Sequence, residues 1–284
     1  MAATADTTAT VTSTPIPTIT ATITTTATGT TTPTATAGTT MGEPRALAAL
    51  LPSLPEAETG ALLRLMTWLS PAFPVGAFSY SHGLEWAIED GTVGDAAALE
   101  AWIADVLRHG GGRSDAILLA HTWRAATAGD TAALADIAEL AAALQPSRER
   151  QLETTAQGRA FLDAVAAAWP APALPILAEA VRTAPAIALP VAIGVAAAAH
   201  RLPLADTLAA ALNGFAANLV SAGVRAIPIG HTDGQRVIAA LVPVVGAVAR
   251  EAATAPLDAI GGASLRADIA SMKHETQYTR LFRS

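Results

Sequence analysis

The run from Ser70 to Glu89, SPAFPVGAFSYSHGLEWAIE, constrains the chain more than any other, because it forbids one helix and then starts another. Pro71 and Pro74 fix φ and carry no amide hydrogen, so the helical pattern before them (Leu62, Leu65, Met66, Leu69) stops there. Gly76 permits a backbone turn that residues with a Cβ resist. From about Ser79 the pattern allows a new helix. Leu84 and Ile88 fall at helical spacing, with Ser81, His82, Glu85 and Glu89 on a polar stripe. On physics alone this is a helix–loop–helix corner.

The text on either side is helical as well. Leu99, Trp102, Ile103, Val106 and Leu107 mark a helix signalled by Thr92 and Asp95 and ended by Gly110-Gly111-Gly112. Ser114 can cap the next, to about Ala128, with Gly129-Asp130 as the turn. Leu134, Ile137, Ala141 and Leu144 mark another, stopped by Pro146, and Ser147 opens a longer one to Trp169. Gly158 inside that helix costs about 1 kcal/mol against alanine, which points to a close approach of another backbone. Pro203 starts a helix through Leu208, Leu212, Phe215 and Leu219. Thr232 and Gln235 then form a capping box before a helix that Pro243 should kink. No strand alternation appears. With 51% hydrophobic residues, many of them alanine, the 284-residue chain reads as all-α: a single globular helical bundle of about ten helices.

The two ends differ from this body. Residues 1 to about 40 are nearly all threonine and alanine, without the basic and leucine-rich regions of a signal peptide. So little apolar bulk does not offset the entropy of ordering, so 1–55 is expected to be a disordered, low-complexity extension, followed by a helical domain over 56–262. Gly261-Gly262 sets off a C-terminal helix and tail, 263–284. Four basic residues (Arg266, Lys273, Arg280, Arg283) face two acidic ones there, a net +2 that leaves −9 for the rest. Leu265, Ile269 and Met272 form one apolar stripe, and Tyr278, Leu281 and Phe282 a second cluster. Such a tail is buried either by its own core or by another protein.

Exclusions narrow the chemistry. Without cysteine there is no disulfide, thiolate metal site or thiol nucleophile. The net charge of −7 argues against nucleic acid or an anionic membrane as partner. The single lysine, Lys273, sits in MKHET, so no GxxxxGK[ST] phosphate loop exists; GxSxG, HExxH and CxxC are also absent. His82 with Glu85, and His231 with Asp233, are two-ligand pairs without a third ligand, so no metal or cofactor is assigned. Two other readings stand beside these exclusions. A helical hydrolase would use Ser79 or Ser81 with His82 but lacks an identifiable buried acid. A small membrane-associated protein would use Ala184–Ala199, which is shorter than the ~20 residues a bilayer needs and is interrupted by Pro185 and Pro190.

The run SPAFPVGAFSYSHGLE closely resembles the signature of UreF-type urease accessory proteins. Three further segments are similar to the same family, in the same order: Glu153-Thr154 with Gln157-Gly158, AGVRAIPIGHTDGQR, and the terminal MKHETQYTRLFRS. The resemblance covers about Ala61 to Ser284. It departs at His231, where a glutamine is expected, and at Thr155, where arginine is frequent. It implies a cytoplasmic, non-catalytic, homodimeric scaffold without a cofactor. That scaffold would join UreD (also called UreH) and the GTPase UreG for nickel insertion into apo-urease. The residues it suggests for partner contact are Tyr80, His82, Glu85, Glu153, Gln157, Arg225 and Gln235, with Tyr278, Leu281 and Phe282 in a tail that contributes to the UreD contact.

Overall fold

Proline, glycine and short capping side chains set the limits of the helices. The computed structural model describes residues 56–284, so the extension expected over 1–55 lies outside the described residues, among which no strand occurs. Helix α1 (Glu56–Trp68) stops before Pro71, as proline demands. After a 3-10 turn at Ala77–Ser79, entered through Gly76 at φ 72°, the helix expected to restart near Ser79 begins only at Leu84 (α2, Leu84–Glu89). The delay has a backbone cause: His82 and Gly83 both sit in the left-handed region, at φ 59° and 77°, and two such residues cannot extend a right-handed helix. Ser81, His82 and Glu85 therefore do not share an outward stripe; all three are buried.

Helix α3 (Ala96–His109) is capped by Asp95, whose carboxylate accepts from the Ala98 amide at 2.8 Å. Gly110 alone breaks the helix, and α4 (Gly111–Ala128) begins at once. Ser114, expected as its cap, lies inside α4, and its hydroxyl exchanges hydrogen bonds with the Gly261 backbone, both at 3.2 Å. Asp130 caps α5 (Thr131–Ala143) and Ser147 caps α6 (Arg148–Ala168). Then follow α7 (Leu174–Arg182), α8 (Leu189–Ala199), α9 (Leu204–Ala226), α10 (His231–Ala252) and α11 (Leu265–His274). The expected capping box is displaced by two residues. Gly230 is the N-cap of α10, and Asp233 rather than Gln235 reaches back to the cap amide, at 3.4 Å. Pro243 lies within the continuous α10.

The apolar α8 is the centre of the bundle. Pro190 through Ala197 are all buried, packed between α4 and α6. At 11 residues it is too short to span a bilayer. Helices α9 and α10 are long and apolar enough to do so, but each buries its apolar stripe in the common core and packs on the other: Leu208, Leu212 and Leu219 from α9, and Val237, Leu241, Val245 and Val248 from α10. Helix α11 packs on α2 and α6. The contact with α2 is so close that a Cβ on Gly83 would lie 2.7 Å from the Ser271 amide nitrogen. That junction is where the site forms.

Candidate functional site

Three segments distant in sequence meet at the corner: residues 79–85, the first turns of α6, and the tail after α11. The corner backbone receives the chain's last residues. Ser79 carbonyl accepts from the Arg283 amide at 2.8 Å, and the Ser81 amide donates to the Ser284 carbonyl at 2.7 Å, as does the Ser81 hydroxyl. Three glutamates supply the remaining acceptors. Glu85, in the first turn of α2, accepts from the amides of Leu281 and Phe282 at 2.5 and 2.9 Å and faces His274 Nε2 at 2.9 Å. Glu149 faces the other ring nitrogen of His274 at 2.5 Å and accepts from Arg280 at 2.6 Å. Glu153, one turn further along α6, accepts from the Ser284 hydroxyl at 2.6 Å. A fourth segment contributes Arg225 at the end of α9. Its guanidinium lies 3.6 Å over the Phe78 ring and 4.5 Å from that of Phe282, and it donates to the Phe78 carbonyl at 2.9 Å. Cation–π contacts of this kind hold best where water is partly excluded.

Beneath the tail the charges are internal. Arg150 and Glu153, at i and i+3 on α6, form a buried ion pair. His82 Nδ1 is 3.7 Å from Glu153, too long for a hydrogen bond. Burial alone would raise the Glu153 carboxyl, but Arg150, followed by His82, outweighs it and holds the group well below the usual carboxylate range. A cavity of about 150 Å³ runs from Trp68 and Phe78 to a polar floor of Asp115, Arg150, Glu153 and Gln157.

His82 and Asp115 should oppose each other as pH changes. Burial, aided by the Arg150 charge, pushes His82 down to about 4; burial pushes Asp115 up to about 6. His82 stays neutral in the fold while the unfolded chain takes up a proton below its ordinary 6.5, so its contribution to stability grows as pH rises from about 4 to about 6.5. Asp115 holds its proton longer folded than unfolded, so its contribution shrinks as pH rises from about 4 to about 6. Each is worth on the order of 3 kcal/mol, and the windows overlap. Between about pH 4.5 and 6 the pair should leave stability nearly flat. Asp115→Asn should unmask a stability that climbs with pH, and His82→Asn, which keeps a residue tolerant of positive φ, should reverse the slope. Urea midpoints across this range measure both; identical slopes in the three proteins would refute the assignment.

The residues singled out in the sequence divide into two groups. Tyr80, His82, Glu85, Glu153 and Gln157 are buried: the first three lie at the corner, and Glu153 and Gln157 lie on α6. The tail cluster divides: Phe282 is buried (4% exposed) under Arg225, in the chain's own core, whereas Tyr278 and Leu281 are exposed. Arg225 is part-exposed and Gln235, on the first turn of α10, is exposed and apart from the corner. His82 and Glu85 do not converge: one faces Glu153 and the other His274. No cluster of three metal-ligating side chains occurs among the described residues. The Ser81 hydroxyl is committed to the Ser284 carbonyl and the Glu85 amide. Sequence reasoning passed over Asp115, Glu149, Arg150 and His274. For Glu149, Arg150 and Glu153 the local pattern is that of a solvated helix face, so no signal in the sequence marks their burial.

Fold and site together define an all-α protein organised around an internal charged junction that holds its own C-terminal segment. Residues 93–242 match the family model for UreF. The urease accessory protein UreF of Rhodopseudomonas palustris strain HaA2 is 58% identical over 229 residues, covering 80% of this chain and 96% of that protein. Those of Bradyrhizobium sp. strain BTAi1 (55% over 232 residues; 82% and 95% covered) and Methylobacterium sp. strain 4-46 (55% over 222 residues; 78% and 88% covered) are similar to it as well. The chain belongs to the UreF family of urease accessory proteins.

Proposed function

We propose that the chain is a non-catalytic, cytoplasmic homodimeric scaffold that joins UreD and the GTPase UreG in a complex for GTP-dependent nickel insertion into apo-urease. The observation that supports this best is the outer face of α11. Leu265, Ile269 and Met272 are exposed along one stripe, continued by Tyr278 and Leu281, on a segment (263–284) whose four basic residues outnumber its two acidic ones. An apolar stripe rimmed by basic residues suits a protein partner. In this reading residues 56–262 are the scaffold, 263–284 carry the UreD contact, and 1–55 stand apart. Arg225, Gln235, Tyr278 and Leu281 reach partners directly. Tyr80, His82, Glu85, Glu153, Gln157 and Phe282 act from within by holding the tail in place.

The test is a co-purification with UreD and UreG alongside nickel-dependent urease activity. Removing the tail outright would strip Phe282 and His274 from the core, so the full chain carries Ile269→Asp and Met272→Asp instead. Both positions are half-exposed, so the fold should hold. UreD capture is expected to fall at least tenfold, as loss of a central apolar contact does. Undiminished capture by the folded double variant would move the interface away from α11.

A further inference from the structure

The cavity enclosed by α4, α6, α8 and α9 joins an apolar body to a polar floor whose charges do not balance. It holds about 150 Å³ and reaches the surface beside Pro71 and Phe78, both exposed. Its walls include Phe161 from α6, Ile193 from α8, and Ala211 and Phe215 from α9. An apolar-walled space of that volume takes a body about the size of benzene. At the floor, Arg150 is already paired with Glu153. Asp115, on α4, has no cation of its own and sits where this cavity meets two smaller ones of about 70 and 60 Å³. Burial pushes its carboxyl up to about 6, against the pull of the Arg150 charge, so above that pH it is an ionised group in a buried place. The 70 Å³ neighbour adds the Asp268 carboxylate and the His82 ring, which burial keeps neutral. Gln157, only 5% exposed, lines the floor as well, and none of the described residues hydrogen-bonds its amide. An anionic ligand would meet carboxylates here, and a neutral one would leave Asp115 without a counter-charge. A cation supplies the missing charge, and the rings of Phe161 and Phe215 favour one beside them.

We propose that this cavity is a binding site for a small organic ammonium ion with an aromatic or branched aliphatic body. The ammonium donates to the Asp115 carboxylate and the Gln157 amide oxygen, and the body lies among Phe161, Ile193 and Phe215. The ligand enters past Pro71 and Phe78. The site is separate from the outer face of α11 and works whatever partner that face binds.

Isothermal titration calorimetry of the full chain tests this at about pH 8, where Asp115 is ionised and an aliphatic amine is protonated. The probes are benzylamine and isoamylamine, with benzyl alcohol as the neutral match for the first. At least one amine is expected to fill a single site per chain with Kd below about 1 mM, within reach of a ligand of so few atoms. Benzyl alcohol should bind at least about tenfold more weakly than benzylamine, because it brings no charge to Asp115. Asp115→Asn keeps the shape of the floor and should weaken the amine by about tenfold or more while leaving the alcohol nearly unchanged. Ala211→Leu, which fills the cavity, should remove both, with urea midpoints showing that each variant is folded. No saturable binding of either amine to the native protein would overturn the proposal. So would an amine affinity that Asp115→Asn leaves unchanged, or a site that persists in folded Ala211→Leu.

Discussion

Glu153→Ala is expected to lower the unfolding free energy by about 3–5 kcal/mol at neutral pH, the range for removing one partner of a buried ion pair. The change leaves the Arg150 guanidinium buried without its carboxylate and removes the acceptor of the Ser284 hydroxyl. Asp115 lines the same cavity and feels the Arg150 charge, so its ionisation should limit the loss to the lower part of that range. Glu153→Gln keeps shape and one acceptor and should cost less. Replacing Arg150 and Glu153 together by methionine and leucine should recover much of the loss, because the pair also bears a desolvation penalty. Arg236 and Asp233 form the contrasting case: Arg236 is mostly exposed and Asp233 partly so, and Arg236→Ala, which leaves the Asp233 cap bond in place, should cost under about 1 kcal/mol. Urea unfolding of these variants decides. A Glu153→Ala loss below about 1 kcal/mol would mean that the pair is hydrated and the junction is not a buried one.

Gly158→Ala should destabilise by about 2–3 kcal/mol although alanine is the better helix former by up to about 1 kcal/mol. A Cβ there would lie 2.2 Å from the Ile187 carbonyl oxygen, 2.7 Å from the Ala188 carbonyl carbon and 2.8 Å from the Leu189 amide nitrogen. These are backbone atoms, so no rotamer change relieves the clash, and α6 must move away from the start of α8. The same movement would break the bond from the Leu189 amide to the Thr154 hydroxyl, now 3.1 Å. Gly94→Ala is the control: nothing lies within 4 Å of its Cβ position, and the change should stay within about 0.5 kcal/mol. Equal unfolding midpoints for the two variants would show that the α6–α8 contact yields more easily than its backbone packing implies.

What was legible in the sequence was local. Pro71, Asp95, Ser147 and Pro203 act on the few residues around them, so the helix limits they imply are the ones observed. Gly158 announced a close approach, though not against what. Local signals failed where two solutions competed. Gly230 with Asp233 and Thr232 with Gln235 are both acceptable helix starts, and only the path of the preceding chain selects the first. The corner was misread for a different reason. Counting 3.6 residues per turn through His82 and Gly83 assumes a helix that their positive φ forbids, and the resulting stripe pointed outward when its members point in. The junction itself was illegible. His274 lies 189 residues from Glu85 and 125 from Glu149, and no spacing rule connects them.

That separation also bears on the order in which the molecule can assemble. The Ser81–Ser284 bond closes a loop of 203 residues, among the most distant pairings in the fold. Joining such distant segments carries a loop entropy that is met only once the intervening helices have packed. The corner therefore completes last, after α4, α6 and α8 have formed their core, and until then Glu85 and the corner backbone stand open to water. From that separation, the bonds of the tail are expected on the native side of the folding barrier. They slow the opening of the finished molecule rather than speed its making. The same few hydrogen bonds thus mark, in time, the moment at which the protein becomes the form described here.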